Sequence, residues 1–148
     1  MRLVCALVTL LAAGRFVLAE EVRAGVVKTV RGEAVIVRET RPERCTEGAA
    51  LLPGDIIRTQ TGAGVGVILL DGTRLAIGES SEVALKGYLF DPPADKYSLI
   101  VNVMRGICVY VSGKIGRLAP KAVEIQTPAG ILGTRGTTLA VKIEGAVR

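Results

Sequence analysis

The stretch that most restricts how this chain can fold is GVGVILLDGTRLAIG, Gly64 to Gly78. Val65, Val67 and Leu69 alternate with Gly64, Gly66 and Ile68, and Thr73, Leu75 and Ile77 resume the alternation after Asp71-Gly72. A period of two sends one set of side chains to each face of a strand, a pattern no helix can bury. Asp-Gly between two such runs predicts a β-hairpin, with a type I′ turn whose two central residues take positive φ.

The rest of the chain repeats this punctuation. VVKTV, Val26 to Val30, and AVIVR, from Ala34, flank Arg31-Gly32 and read as a tight strand pair. RETRPERCTEGAALLPGD carries Pro42, Pro53 and many charges, and reads as a surface loop. DIIRT and SEVALKGYLFD are further strands, the second ended by Pro92-Pro93. YSLIVNVMRGICVYVSG reads as two strands broken near Arg105-Gly106, with Ile107, Val109 and Val111 on one face and Cys108 and Tyr110 on the other. VEIQT turns Val123, Ile125 and Thr127 inward, and TLAVKI sets Leu139, Val141 and Ile143 against Ala140 and Lys142. No window keeps a helical period with caps. The expected class is all-β: short antiparallel hairpins in a compact β-sandwich, or a β-roll or β-helix-like domain, with little helix. Aromatics make up only 3% of the chain, so Val, Ile and Leu must build the core.

The first residues belong to a different grammar. MRLVCALVTLLAAGRFVLA has Arg2 in front, an apolar core from Leu3 to Ala13, and Val17-Leu18-Ala19 at its end. That is the pattern of a cleavable signal peptide, and the core is short of the roughly 20 residues a spanning helix needs. The expected organisation is a signal peptide over residues 1–19 and one domain over 20–148, periplasmic or secreted, with no membrane span in the mature chain. Export makes Cys45 and Cys108 a candidate disulfide, against the alternative of two separate buried thiols. With no histidine, neither a zinc site nor another metal site is expected.

Charge is unevenly placed. Residues 20–100 hold 10 basic and 12 acidic side chains, whereas residues 101–148 hold 7 basic and 2 acidic. The basic third includes Arg105, Lys114, Arg117, Lys121 and Arg135, candidate contacts for an anionic partner, although a solvated face is the commoner reason for such a run. Nucleic acid is not expected, because few aromatics are available for stacking. The glycines of GAGVG lead into a strand instead of a helix, so they cannot cradle a nucleotide phosphate. Without histidine the commonest general base is missing, and Asp55, Asp71 and Asp91 each stand beside turn residues. No catalytic residue for an external substrate and no cofactor are expected; the chain does not read as an enzyme.

Four pieces in order, GDIIRT (Gly54 to Thr59), LLDGTRLAIG (Leu69 to Gly78), RGICVYVSGKIGR (Arg105 to Arg117) and IQTPAGILGTRGTTLAV (Ile125 to Val141), resemble a FecR-like domain over roughly Gly25 to Ile143. The resemblance implies an extracytoplasmic β-rich domain. Its well-understood members join this domain, through a membrane helix, to a cytoplasmic segment that binds a sigma factor, whereas this chain carries a signal-like leader in that place and is more similar to stand-alone exported members. The resemblance also implies self-cleavage at Gly136-Thr137 as a candidate reaction, with Gly133-Thr134 as a second candidate bond. The route would be attack of the threonine hydroxyl on the preceding carbonyl, an acyl shift that breaks the peptide C–N bond and frees the threonine amine, followed by hydrolysis of the resulting ester by water. A bend into the last strand is the ordinary use of such glycines. Relatives often have a large aromatic where Leu139 stands.

Together these point to an exported, non-enzymatic interaction or signalling module that contacts a protein or cell-envelope partner. The alternatives are self-cleavage at Gly136-Thr137, or binding of an anionic envelope polysaccharide through the basic C-terminal third. An open strand edge would also allow a homo-oligomer.

Overall fold

The structure, a computed structural model, describes residues 22–135 and 138–144. Residues 1–21, where the signal peptide is expected, and Gly136-Thr137, the candidate cleavage bond, lie outside the described residues. Twelve strands form one curled, mostly antiparallel sheet: β1 (Gly25–Arg31), β2 (Ala34–Arg38), β3 (Arg41–Arg44), β4 (Ala50–Leu51), β5 (Ile56–Thr59), β6 (Gly64–Leu69), β7 (Arg74–Ile77), β8 (Glu82–Asp91), β9 (Lys96–Val111), β10 (Val123–Thr127), β11 (Gly130–Gly133) and β12 (Thr138–Ile143). One short helix, α1 (Lys114–Leu118), follows β9, and the all-β expectation holds.

The long strand β9 organises the rest. Its first part pairs with β8 and, in parallel, with β10; its last part pairs with β7 and β12. One half of the sheet is therefore β3-β2-β5-β8-β9-β10-β11, and the other is β4-β1-β6-β7-β9-β12. Both halves feed a single aliphatic core, with Val27, Leu69, Leu75 and Tyr110 from one and Ile57, Val83, Leu99 and Val101 from the other. The change of partners falls at Gly106, whose φ of 85° only glycine tolerates readily. A Cβ there would run into the Ser81 side chain, and Ser81 Oγ accepts the Ile107 N–H at 2.9 Å. Hence Arg105-Gly106 bends one strand; it does not separate two, as the glycine alone suggested.

Three other local expectations change. β1 does not pair with β2; it lies between β4 and β6, and at Gly32 the chain crosses to the other half-sheet. The polar excursion contains β3 and β4, with Pro42 on the edge strand β3, where a missing N–H costs least. The Asp-Gly hairpin forms, but not through a type I′ turn. Gly72 N–H donates to the Leu69 carbonyl at 3.0 Å, Leu69 N–H donates to the Thr73 carbonyl at 2.8 Å, and Gly72 has φ of 85° while Asp71 keeps negative φ. This is a three-residue loop of the type I plus bulge kind. It leaves the Asp71 side chain free to turn inward.

Cys45 and Cys108 are free thiols, so the candidate disulfide is not formed. Each fills an apolar position: Cys45 follows β3, its N–H bonded to the Ala34 carbonyl, and Cys108 lies in β9 between Ile77 and Val141. Burial pushes the Cys108 thiol up to about 12 from 9.0 and raises Cys45 as well. Burial, then the Asp71 carboxylate, raises the Tyr88 phenol above its ordinary 10.0. These groups stay protonated in the fold while the unfolded chain releases their protons, so the fold binds more protons at high pH. Their contribution to stability is thus constant well below pH 9 and falls above it, by about 1.4 kcal/mol per pH unit for each group that has titrated in the unfolded chain. Urea unfolding at pH 7, 8.5 and 10.5 should give equal midpoints for the first two and a lower one for the third.

Candidate functional site

Asp71 is the residue from which the site is built. It is 1% exposed, and its carboxylate accepts four hydrogen bonds. Oδ1 takes the Tyr88 hydroxyl at 3.0 Å and the Thr73 N–H at 3.2 Å; Oδ2 takes the Thr73 hydroxyl at 2.7 Å and the Ile115 N–H at 3.1 Å. Its own N–H donates to the Tyr88 oxygen at 2.9 Å, and its carbonyl accepts the Lys114 N–H at 2.9 Å. The first N–H groups of a helix lack partners within it, and a carboxylate there also suits the helix dipole. No side chain at Gly113 provides a cap for α1. Asp71 does so from another hairpin, which fixes the helix against the end of β7.

Held in this way, α1 and the 3-10 turn after it (Pro120–Ala122) form one side of a groove of about 920 Å³. Leu118, Ala119, Pro120 and Lys121 line that side; Val123 and Glu124 of β10 line it next; Ile131, Gly133, Thr134 and Arg135 complete it. Leu118 is 61% exposed and Ile131 65% exposed, so large apolar side chains stand open to solvent around the groove. The whole of β11 is exposed, and among the described residues it pairs only with β10, which leaves its other edge open. The Thr134 hydroxyl is buried without a hydrogen-bond partner among the described residues. Gly133 needs neither a left-handed backbone nor a close neighbour, since nothing lies within 4 Å of where its Cβ would be.

The five basic candidates divide. Lys121 and Arg135 line the groove. Lys114 and Arg117 are exposed on α1, with Arg117 Nε donating to the Gly113 carbonyl at 3.4 Å. Arg105 lies six residues before the end of β9, up to about 20 Å away along the strand, where it pairs with Glu82 at 3.7 Å. Charge counting along the chain could group them by sequence third but not by face. The trans-capping role of Asp71 was also missed; the only available signal was Thr73 two residues on, a residue able to bond an aspartate turned back toward it.

A second buried carboxylate braces the other half-sheet. Asp55, 1% exposed, receives Arg38 Nε at 2.9 Å and Arg38 Nη2 at 2.8 Å, and accepts the Leu52 N–H at 2.8 Å. Arg38 also reaches the Ala50 carbonyl at 3.1 Å. This fork ties β2 to the turn before β5. Among the described residues no cluster of His, Cys, Asp and Glu has the arrangement of a metal site, and no helix is long and apolar enough to cross a membrane.

A family model described as FecR protein matches residues 55–147, more than half of the chain. No curated protein matches it. A solved structure described as a cell surface anchoring domain is 20% identical and covers 40% of this chain and 80% of its own, with a TM-score of 0.40, too low a likeness to carry fold or function across.

Proposed function

Because this chain belongs to the FecR protein family, we propose that it is an exported, non-enzymatic interaction or signalling module that works by contact with an envelope protein. The observation that carries this is the open edge of β11 beside the groove. Unpaired N–H and C=O groups on an exposed edge invite a further strand, and the adjoining groove supplies side-chain selection. Leu118 and Ile131 favour an apolar side chain in the incoming segment, and Lys121 and Arg135 favour an acidic one beside it. The partner in this reading is an extended, acidic and apolar segment of another protein.

Site-specific photo-crosslinking in envelope extract at low salt tests it. A crosslinker at position 131 should capture a protein, and the double change Lys121→Glu and Arg135→Glu should remove most of the adduct. A crosslinker at position 43 on the charged edge strand β3 should capture little. Equal capture at both positions, an adduct only with a second copy of this chain, or no adduct at all would count against the reading.

A further inference from the structure

The outer face of the half-sheet β4-β1-β6-β7-β9-β12 has a one-sided charge. Its strand residues, 25–31, 50–51, 64–69, 74–77, 106–111 and 138–143, include no Asp or Glu. They include Lys28, Arg31, Arg74 and Lys142, all exposed. Lys142 pairs with Glu144 at 3.0 Å beyond the end of β12. Lys28, Arg31 and Arg74 have no acidic partner among the described residues, whereas Arg38, Arg58 and Arg105 of the other half-sheet all do. Between these cations and on past them to β12 the face is smooth. Thr29, Gly66, Ala76, Val109 and Ala140 are register partners in turn, one per strand across five strands. Glycine is needed at 66 because the Thr29 hydroxyl occupies the place its Cβ would take. A depression of about 330 Å³ lies here, with Lys28 and Arg74 on its lining. These two stand two strands apart, roughly 10 Å at the backbone.

We propose that this face binds an anionic polysaccharide, a carboxylate-bearing sugar polymer lying across the strands. Cations without an ion-pair partner give an attractive field for a negative chain, which Glu47, accepting the Val30 N–H at 3.4 Å on β1, only partly offsets. A flat floor without a deep socket suits an extended polymer better than a protein anchored by large side chains. Tryptophan is absent from the chain and no aromatic lines the depression, which disfavours stacking on nucleobases or an interfacial anchor in lipid. The surface is separate from the β11 groove, and the inference does not depend on the groove having a protein partner.

The test is titration of the whole chain with alginate, with dextran as the uncharged polymer and with phosphatidylglycerol vesicles and poly-glutamate as the other anionic arms. Alginate should bind and weaken with added salt, and dextran should not bind. The pair Lys28→Gln and Arg74→Gln, both at exposed positions, should weaken alginate roughly 30-fold, on the scale of two cations lost from contact with an anionic surface. The pair Lys121→Gln and Arg135→Gln should leave it within about twofold. Ala140→Glu, which puts an anion into the floor, should weaken it as well. No alginate binding, equal loss from both pairs, or tighter binding of vesicles or poly-glutamate than of alginate would overturn the proposal.

Discussion

Replacing Asp71 by alanine is expected to destabilise the fold by about 4 kcal/mol or more, a large share of the stability of an ordinary domain. Four donors lose their acceptor at once: the Thr73 N–H and hydroxyl, the Tyr88 hydroxyl and the Ile115 N–H. A buried donor left alone costs roughly 1–3 kcal/mol, and some of these would recover through water let in by the missing side chain. Asp71→Asn keeps one carbonyl oxygen and should cost less, about 2 kcal/mol. Tyr88→Phe removes one bond to the carboxylate and the acceptor of the Asp71 N–H, and should cost about the same. Urea unfolding checks the order. A loss under about 1 kcal/mol for Asp71→Ala would show that the knot contributes nothing that water cannot supply.

The second large effect concerns the Arg38–Asp55 fork, and here the two partners should not be equivalent. Arg38→Met leaves a carboxylate 1% exposed with only the Leu52 N–H from this constellation, and an uncompensated buried charge costs roughly 3–5 kcal/mol. Asp55→Asn leaves the guanidinium, whose side chain is 28% exposed and already reaches the Ala50 carbonyl, so it can complete its solvation in water. That change should cost less, about 2 kcal/mol. The double variant should be more stable than Arg38→Met alone, because it removes the stranded charge. Unfolding midpoints of the three variants decide it, and Asp55→Asn proving the worse single change would refute the assignment.

Both carboxylates show where the sequence could be read and where it could not. The alternation around Asp71-Gly72 depends on side-chain period alone, and period survives any tertiary context that buries one face. Hence β6, β7, the C-terminal part of β9, β10 and β12 could be placed from residues, as could the inward side of most of them. Pairing partners are set by which strands can share a core. β1 joined β6 across a gap of more than thirty residues instead of the neighbouring β2, a choice no local turn signal at Gly32 encodes. Asp71 and Asp55 stand in turns, as their neighbours predict, but their carboxylates bond atoms 44 and 17 positions away. Nothing in a turn dipeptide reports that. The groove depends on the same long-range bond, since α1 would otherwise read as the polar turn SGKIGR. The unpaired cations of the outer face were likewise invisible to a count by thirds, because Lys28 on β1 and Arg74 on β7 come together only through the strand order β1-β6-β7.

We propose that this family member works by contact along the open edge of β11. Residue-resolved hydrogen exchange tests it, comparing the chain alone with the complex captured through position 131. The amides of Gly130–Gly133 should slow by about tenfold or more in the complex while those of Arg41–Arg44 on β3 keep their rates. Unchanged exchange in β11, with protection appearing on another surface instead, would contradict it.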